Sequence, residues 1–174
     1  MALSGAEISY ISGQKNNWRR WMWNQVKERL PKNKTAKDCL VLYLAGRENA
    51  DLEEAKRRGF LPANMIAVEA DKDVARSLRQ QGVTTIAGNV VDVLNCWPLE
   101  HKVDVVILDL CAGLGLDMIR RVQAGLMQPC FVGAIVSINL QRGRDDVKAF
   151  KSQIGSWLSV IAPSLSGALR NNGP

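Results

Sequence analysis

The chain has 174 residues, the length of one domain, with 47% hydrophobic and 23% charged residues. These are ordinary values for a globular protein and exclude global disorder. The formal net charge of +6 lies in one place, because residues 1–37 hold eight Lys/Arg and two acidic residues, whereas residues 38–174 hold fifteen of each. No run approaches the roughly 18 apolar residues of a membrane helix, and residues 1–13 lack the apolar core of a secretory signal. We therefore expect a cytoplasmic protein with no membrane contact.

Cysteine and histidine usage argues against a metal site. The four cysteines are scattered without a C-x-x-C pair, and His101 is the only histidine. Zinc normally takes four nitrogen or sulfur ligands, which this pattern does not supply. The sequence predicts no metal, reduced cysteines of the kind found in a cytoplasm, and a surface position for His101 in the loop before the fourth strand.

The basic leader contains one predicted helix. Trp18, Met22, Val26 and Leu30 recur every four residues and form one apolar stripe, which predicts a helix from about residue 17 that ends at Pro31.

Apolar runs and helical patterns alternate after the leader. The predicted strands cover residues 39–45, 65–69, 83–87, 103–109 and 131–138. Helical patterns separate them at 49–56, 72–80, 90–94 and 116–126, with Asp71 as the predicted cap of the second, and apolar residues at helical spacing predict a last helix over 147–161. This alternation predicts an α/β fold: a doubly wound, mainly parallel sheet of about five strands with helices on both faces. We divide the chain into a leader with its helix (1–37), an α/β core (38–140) and a C-terminal helix with a tail (141–174).

The residues that end the strands define the predicted site. In open parallel sheets, ligands bind outside the carboxyl ends of the strands. Gly46 follows the first predicted strand and Glu69 ends the second, 23 residues later. A carboxylate at that place suits the two hydroxyls of a ribose, and glycine lets backbone approach a ligand.

The order and spacing of these strand-end residues resemble those of the class I S-adenosylmethionine-dependent methyltransferases, and the resemblance covers residues 39–140. That family has a glycine-bearing loop after strand one, an acid that ends strand two, and a fourth strand of the form D-x-V-x-x-D, here Asp104 to Asp109. The resemblance implies S-adenosylmethionine as cofactor and Asp109 as the catalytic candidate. It implies a cofactor-binding set made of Gly46, Arg47, Glu48, Glu69, Ala70, Asn89 and Val90. The segment 61–69 also looks like small phage- or mobile-element-encoded members.

The chain departs from the family pattern at two points. The first loop has one glycine where the family has two or three, and its bulky Arg47 and Glu48 either obstruct a cofactor or contact it. The turn after Asp109 lacks the proline and the aromatic residue of amino-methylating enzymes. A catalytically inactive binding or assembly module is therefore the alternative function.

Residues 107–115 also look like a methyltransferase first motif. In that register Gly113 and Gly115 would hold the cofactor, but the residues that follow are too few for four more strands. Cys111 is an alternative nucleophile on this segment, although a small apolar role in a turn is favoured for it.

The leader also predicts a partner surface. Tryptophans interleave with cations in the set Trp18, Arg19, Arg20, Trp21 and Trp23. Aromatic stacking on bases together with neutralisation of phosphates is how single-stranded nucleic acid is held. We favour nucleic acid as the partner and as the methyl acceptor. A protein or homo-oligomer contact, or simple packing of the tryptophans, is the alternative.

Overall fold

A computed structural model describes residues 13–110 and 116–140. The predicted C-terminal helix over 147–161, Cys111, and Gly113 and Gly115 of the alternative first motif lie outside these ranges. Within the described ranges, the helices are α1 (Gly13–Glu28), α2 (Ala50–Arg57), α3 (Lys72–Gln80), α4 (Val90–Asn95) and α5 (Leu116–Leu126). The five strands are β1 (Val41–Leu44), β2 (Met65–Glu69), β3 (Thr85–Ala87), β4 (Val105–Leu110) and β5 (Ile135–Leu140). Short 3-10 turns occupy Ala36–Asp38, Pro62–Asn64 and Pro129–Phe131.

The strands form one parallel sheet in the order β3-β2-β1-β4-β5. This order confirms the predicted doubly wound α/β fold, a Rossmann-like arrangement. The order reverses between β1 and β4, and this switch point is where such sheets bind ligands.

Helices cover both faces of the sheet, as predicted. On one face, Met22, Trp23 and Val26 of α1 share a buried cluster with Val41 and Tyr43 of β1, and residues of α2 and α3 complete this cluster. On the other face, α4 and α5 pack on alternate residues of the same strands. The helix of the leader is thus part of the core.

Local sequence explains the helix ends. The Asp71 carboxylate accepts hydrogen bonds from the backbone N–H groups of Asp73 and Val74, which caps α3 at the predicted residue. Gly82, with a φ of 80°, follows the end of α3 in the left-handed region that glycine tolerates. Asn49 stands at the N-cap of α2, but its side-chain oxygen accepts a hydrogen bond from the Tyr43 hydroxyl at 2.9 Å instead of capping the helix.

Candidate functional site

Three strand ends meet at one edge of the sheet, on the β3 side of the switch point. The Ala45 N–H donates to the Val68 carbonyl at 3.2 Å, and the Gly88 N–H donates to the Glu69 carbonyl at 2.9 Å. These two bonds bring the backbone beside Gly46, Glu69 and Gly88 into one row. The structure therefore brings together the residues predicted to follow the first three strands.

Gly46 opens the turn between β1 and α2, and its carbonyl accepts a hydrogen bond from the Asn49 N–H at 3.0 Å. A Cβ atom built on Gly46 would meet no atom within 4 Å, and its φ lies outside the left-handed region. The turn itself does not require glycine. What the missing side chain provides is open space over the backbone at the end of β1.

Glu69 is half-buried at the end of β2, and its Oε1 accepts a hydrogen bond from the Asp71 N–H at 2.9 Å. Burial raises the pKa of Glu69, and the charge of Asp71 adds to the rise, while backbone hydrogen bonds from Asp71 and Ala70 oppose it. Hydrogen bonds from Val74 and Asp73 hold the pKa of Asp71 below its ordinary value, and the charge of Arg47 lowers it further. Glu69 is thus a partly desolvated carboxylate, for which a ligand hydroxyl is a favourable hydrogen-bond donor.

Asn89 and Val90 follow β3 and begin α4. The Asn89 side-chain oxygen caps α4 by accepting from the Val91 N–H at 2.9 Å. The Val90 side chain is buried in the core under α4. A contact of this segment with a ligand would therefore use the exposed Asn89 or the backbone.

Asp109 lies on β4, on the other side of the switch point. Its Oδ1 accepts a hydrogen bond from the Asn139 side chain at 2.8 Å, and its Oδ2 lies 3.3 Å from Lys15 Nζ. Both carboxylate oxygens thus have partners, and proton abstraction by Asp109 would use the lone pairs that these contacts leave. The catalytic role of Asp109 stays a prediction. Asp104, by contrast, lies before β4 and binds the Leu40 N–H and Lys34, which is a structural role.

A second group of residues near the switch point was not predicted from the sequence. Asp51, in the first turn of α2, accepts hydrogen bonds from Arg19 Nε at 3.0 Å and from Trp23 Nε1 at 2.9 Å. Burial raises the pKa of Asp51, Arg19 and Trp23 oppose that rise, and the negative charge of Asp109 adds to it. The i, i+4 spacing of Arg19 and Trp23, which puts both on one face of α1, is the sequence signal for this contact.

The predicted surface role of Arg19 and Trp23 is wrong. Trp23 is 0% exposed and Arg19 is 5% exposed, and both side chains are bonded to Asp51. Trp18 is partly buried against the same core. Arg20 and Trp21 are exposed. A nucleic-acid partner stays a prediction, and only these last two of the five predicted contacts present an exposed side chain to it.

A pocket of about 610 Å³ lies beside the row of strand ends. It extends from Gly88 and Asn89 over the sheet face to Leu40, and Trp97 and His101 line its far end. His101 is exposed, as predicted, and its carbonyl accepts a hydrogen bond from Trp97 Nε1 at 2.8 Å. The pocket shares Gly88 and Asn89 with the strand ends of the candidate site, whereas Gly46, Glu69 and Asp109 do not line it.

Within residues 13–110 and 116–140, no three His, Cys, Asp or Glu side chains are grouped as a metal ion would require. Among those same residues, no helix is both long and apolar enough to cross a membrane.

Known proteins resemble this chain in fold and not in sequence. No family model and no curated protein matches the sequence. Among solved structures, a SAM-dependent methyltransferase from Archaeoglobus fulgidus is similar, with a TM-score of 0.48 and 14% identity, over 80% of this chain and 68% of that chain. At this level the likeness carries no argument about function. The class that the strand order itself defines is a Rossmann-like doubly wound α/β protein.

Proposed function

We propose that the chain binds S-adenosylmethionine at the carboxyl edge of the sheet and transfers its methyl group to an acceptor. One observation carries the proposal: the half-buried Glu69 carboxylate lies in one row with the open space over Gly46 and the turn at Gly88. An adenosine needs a carboxylate for its ribose diol, a close backbone approach and a neighbouring surface for its base. The residues present fit these three needs.

Each residue of the row has a role in this proposal. Glu69 accepts hydrogen bonds from the ribose hydroxyls, while the Asp71 N–H holds its Oε1 in place. Gly46 leaves room for the ligand against the backbone. Asn89 borders the base, and Ala70 lies beside Glu69 at the exposed rim. Arg47 and Glu48 are also exposed, and they lie in the turn between β1 and α2 at the edge of the proposed site.

S-adenosylmethionine supplies an activated methyl group, so the chain needs chiefly to align an acceptor with it. The Lys15–Asp109 ion pair lies at the switch point, where its side chains are only 18% and 14% exposed. A charged pair in such a sheltered place is able to orient a polar group brought next to it.

A binding or assembly module without catalysis is the second candidate. The observation that favours it is the engagement of Asp109, the catalytic candidate, by both Lys15 and Asn139. Such a module would retain the cofactor site and transfer no methyl group.

Calorimetric titration of S-adenosylmethionine into wild type, Glu69→Ala and Glu100→Ala tests the proposal. Glu100 is an exposed glutamate in the loop before β4, at the opposite edge of the sheet, so its variant is the matched control. We expect saturable binding in wild type and Glu100→Ala and its loss in Glu69→Ala. No heat with folded wild type would contradict the proposal. Transfer of labelled methyl to an acceptor then separates the enzyme from the inactive module.

A further inference from the structure

Three arginines on the outer side of α1 and α2 converge on one carboxylate. Arg57 Nη1 and Arg58 Nη1 lie 2.5 Å and 2.6 Å from the Glu54 carboxylate. Arg20 Nε lies 3.7 Å from the same group. Burial works to raise the pKa of Glu54, but the hydrogen bonds and charges of Arg58 and Arg57 outweigh it and lower the pKa below its ordinary value. Glu54 is therefore ionised at neutral pH, and the cluster carries a net charge of about +2.

The three arginines differ in how they are held. Arg58 is fixed, because its side chain is 12% exposed and donates to the Asn24 side chain at 2.8 Å and to the Arg20 carbonyl at 2.9 Å. The side chains of Arg20 and Arg57 are 59% and 65% exposed. Both lie near the same oxygen, Oε1 of Glu54. A guanidinium has five N–H donors, so each of the two exposed groups has donors left for an anion.

Trp21 lies next to Arg20 on α1, and it is 59% exposed. Of the large apolar side chains on α1 and α2 that the structure describes, it is the only one classed as exposed. A protein interface would need a wider apolar core around such a residue. An exposed indole that directly follows an arginine of the cationic cluster in α1 suits instead the stacking of a base whose phosphates the arginines bind.

We propose that Arg20, Trp21 and Arg57 form a binding surface for single-stranded nucleic acid. The two guanidiniums bind phosphate oxygens, while Trp21 stacks on a base. The Glu54 carboxylate accepts a hydrogen bond from Arg57 and attracts Arg20 by its charge, and Arg58, whose side chain is 12% exposed, holds Glu54. This surface is separate from the row at Gly46 and Glu69, so it does not depend on the proposed methyl transfer.

The test is fluorescence anisotropy of a labelled oligothymidylate of about 12 nucleotides, titrated with the full chain between about 50 and 200 mM salt. The variant is Arg20→Ala with Arg57→Ala. The matched control is Arg76→Ala with Arg121→Ala, because these two exposed arginines also pair with single carboxylates and their loss removes the same charge. We expect the first double variant to weaken binding about tenfold and to reduce the salt slope by about 1.4. The control should stay within about twofold of wild type.

Stacking is tested with Trp21→Ala, which we expect to weaken binding about tenfold, whereas Trp21→Phe should retain most of the affinity. Circular dichroism checks the fold of each variant, and Arg20→Gln with Arg57→Gln, which also removes both charges, serves if the alanine pair does not fold. The proposal is overturned by any of four results: no binding by folded wild type at low salt, equal loss in the control pair, an unchanged Trp21→Ala, or equally tight binding of poly-glutamate. S-adenosylmethionine titrations of the same variants should not change.

Discussion

The indole of Trp23 donates a hydrogen bond to Asp51 at 2.9 Å, and this bond joins the helix before the sheet to the first crossover helix. Trp23 also packs edge-on against Phe60, with ring centroids 5.3 Å apart. Asp51 receives its second hydrogen bond from Arg19. These contacts fix α1 against α2 close to the switch point, so the leader helix helps to build the site.

Arg19→Ala should destabilise the fold strongly. The substitution leaves the buried Asp51 carboxylate without its charged partner, which typically costs about 3 kcal/mol. Arg20→Ala, one residue further along the same helix, removes an exposed ion pair and should cost less than about 1 kcal/mol. Urea denaturation at pH 7 measures both. Equal losses in the two variants would contradict the structural role of the Arg19–Asp51 pair.

The difference in unfolding free energy between wild type and Arg19→Ala should become smaller as the pH falls. Burial already raises the pKa of Asp51 above its ordinary value of 3.8, and loss of the Arg19 charge raises this pKa further. A folded state in which a carboxyl pKa is raised binds a proton that the unfolded chain does not, so folding becomes more favourable as the pH falls through that pKa. Because this pKa is higher in the variant, the variant gains stability relative to wild type as the pH falls. Urea midpoints at pH 7 and at about pH 5 test this. A deficit that stays constant would mean that Asp51 does not take up the proton.

Gly46→Ala separates a ligand role from a turn role. No atom lies within 4 Å of the added Cβ and the φ is not left-handed, so stability should change by less than about 1 kcal/mol. Affinity for S-adenosylmethionine should fall about tenfold, because the methyl group enters the space of the ligand. Calorimetry and thermal melting measure the two effects.

Gly125→Ala is the contrasting variant. Its added Cβ would lie 2.6 Å from the Leu94 Cβ, where α5 approaches α4. We expect a loss of about 1–3 kcal/mol in stability from this overpacking.

A Gly46→Ala protein that binds S-adenosylmethionine with the affinity of wild type would contradict the proposed role of Gly46 in a ligand site.

Cofactor affinity should depend on the ionisation of Glu69. Burial raises the pKa of this group above its ordinary value of 4.5, so the carboxylate is lost at a higher pH than in an exposed glutamate. Binding should therefore weaken as the pH falls through the raised pKa, because the ionised form is the stronger acceptor for ribose hydroxyls. Calorimetric titrations between about pH 5 and pH 8 test this. Glu69→Gln should bind weakly and with little pH dependence; a pH profile like that of wild type would show that Glu69 does not control binding.

Local patterns predicted most elements of the sheet and the row of strand ends. The run from Met65 to Glu69, the Asp71 cap and the span of α5 are as expected, because each depends on neighbouring residues. β5 begins later than expected, at Ile135, since Pro129 starts a 3-10 turn and Gly133 adopts a φ of 84°.

Contacts between distant segments were not predictable in the same way. Asp51 reaches Arg19 and Trp23 across 32 and 28 residues, whereas the sequence pattern favoured a surface position for Arg19 and Trp23. The close approach of Gly125 to Leu94 likewise arises from the packing of two helices. In both cases the tertiary fold determines the contact partner, and the local sequence pattern does not predict which residue it is.

A crystal structure of the chain with S-adenosylhomocysteine tests the central claim most directly. The account predicts the ribose hydroxyls within hydrogen-bond distance of the Glu69 carboxylate, with the ligand against the backbone of Gly46 and the base beside Asn89. A ligand that does not contact Glu69, such as one held only at the Trp97 end of the pocket, or no ligand in crystals of folded protein, would contradict it.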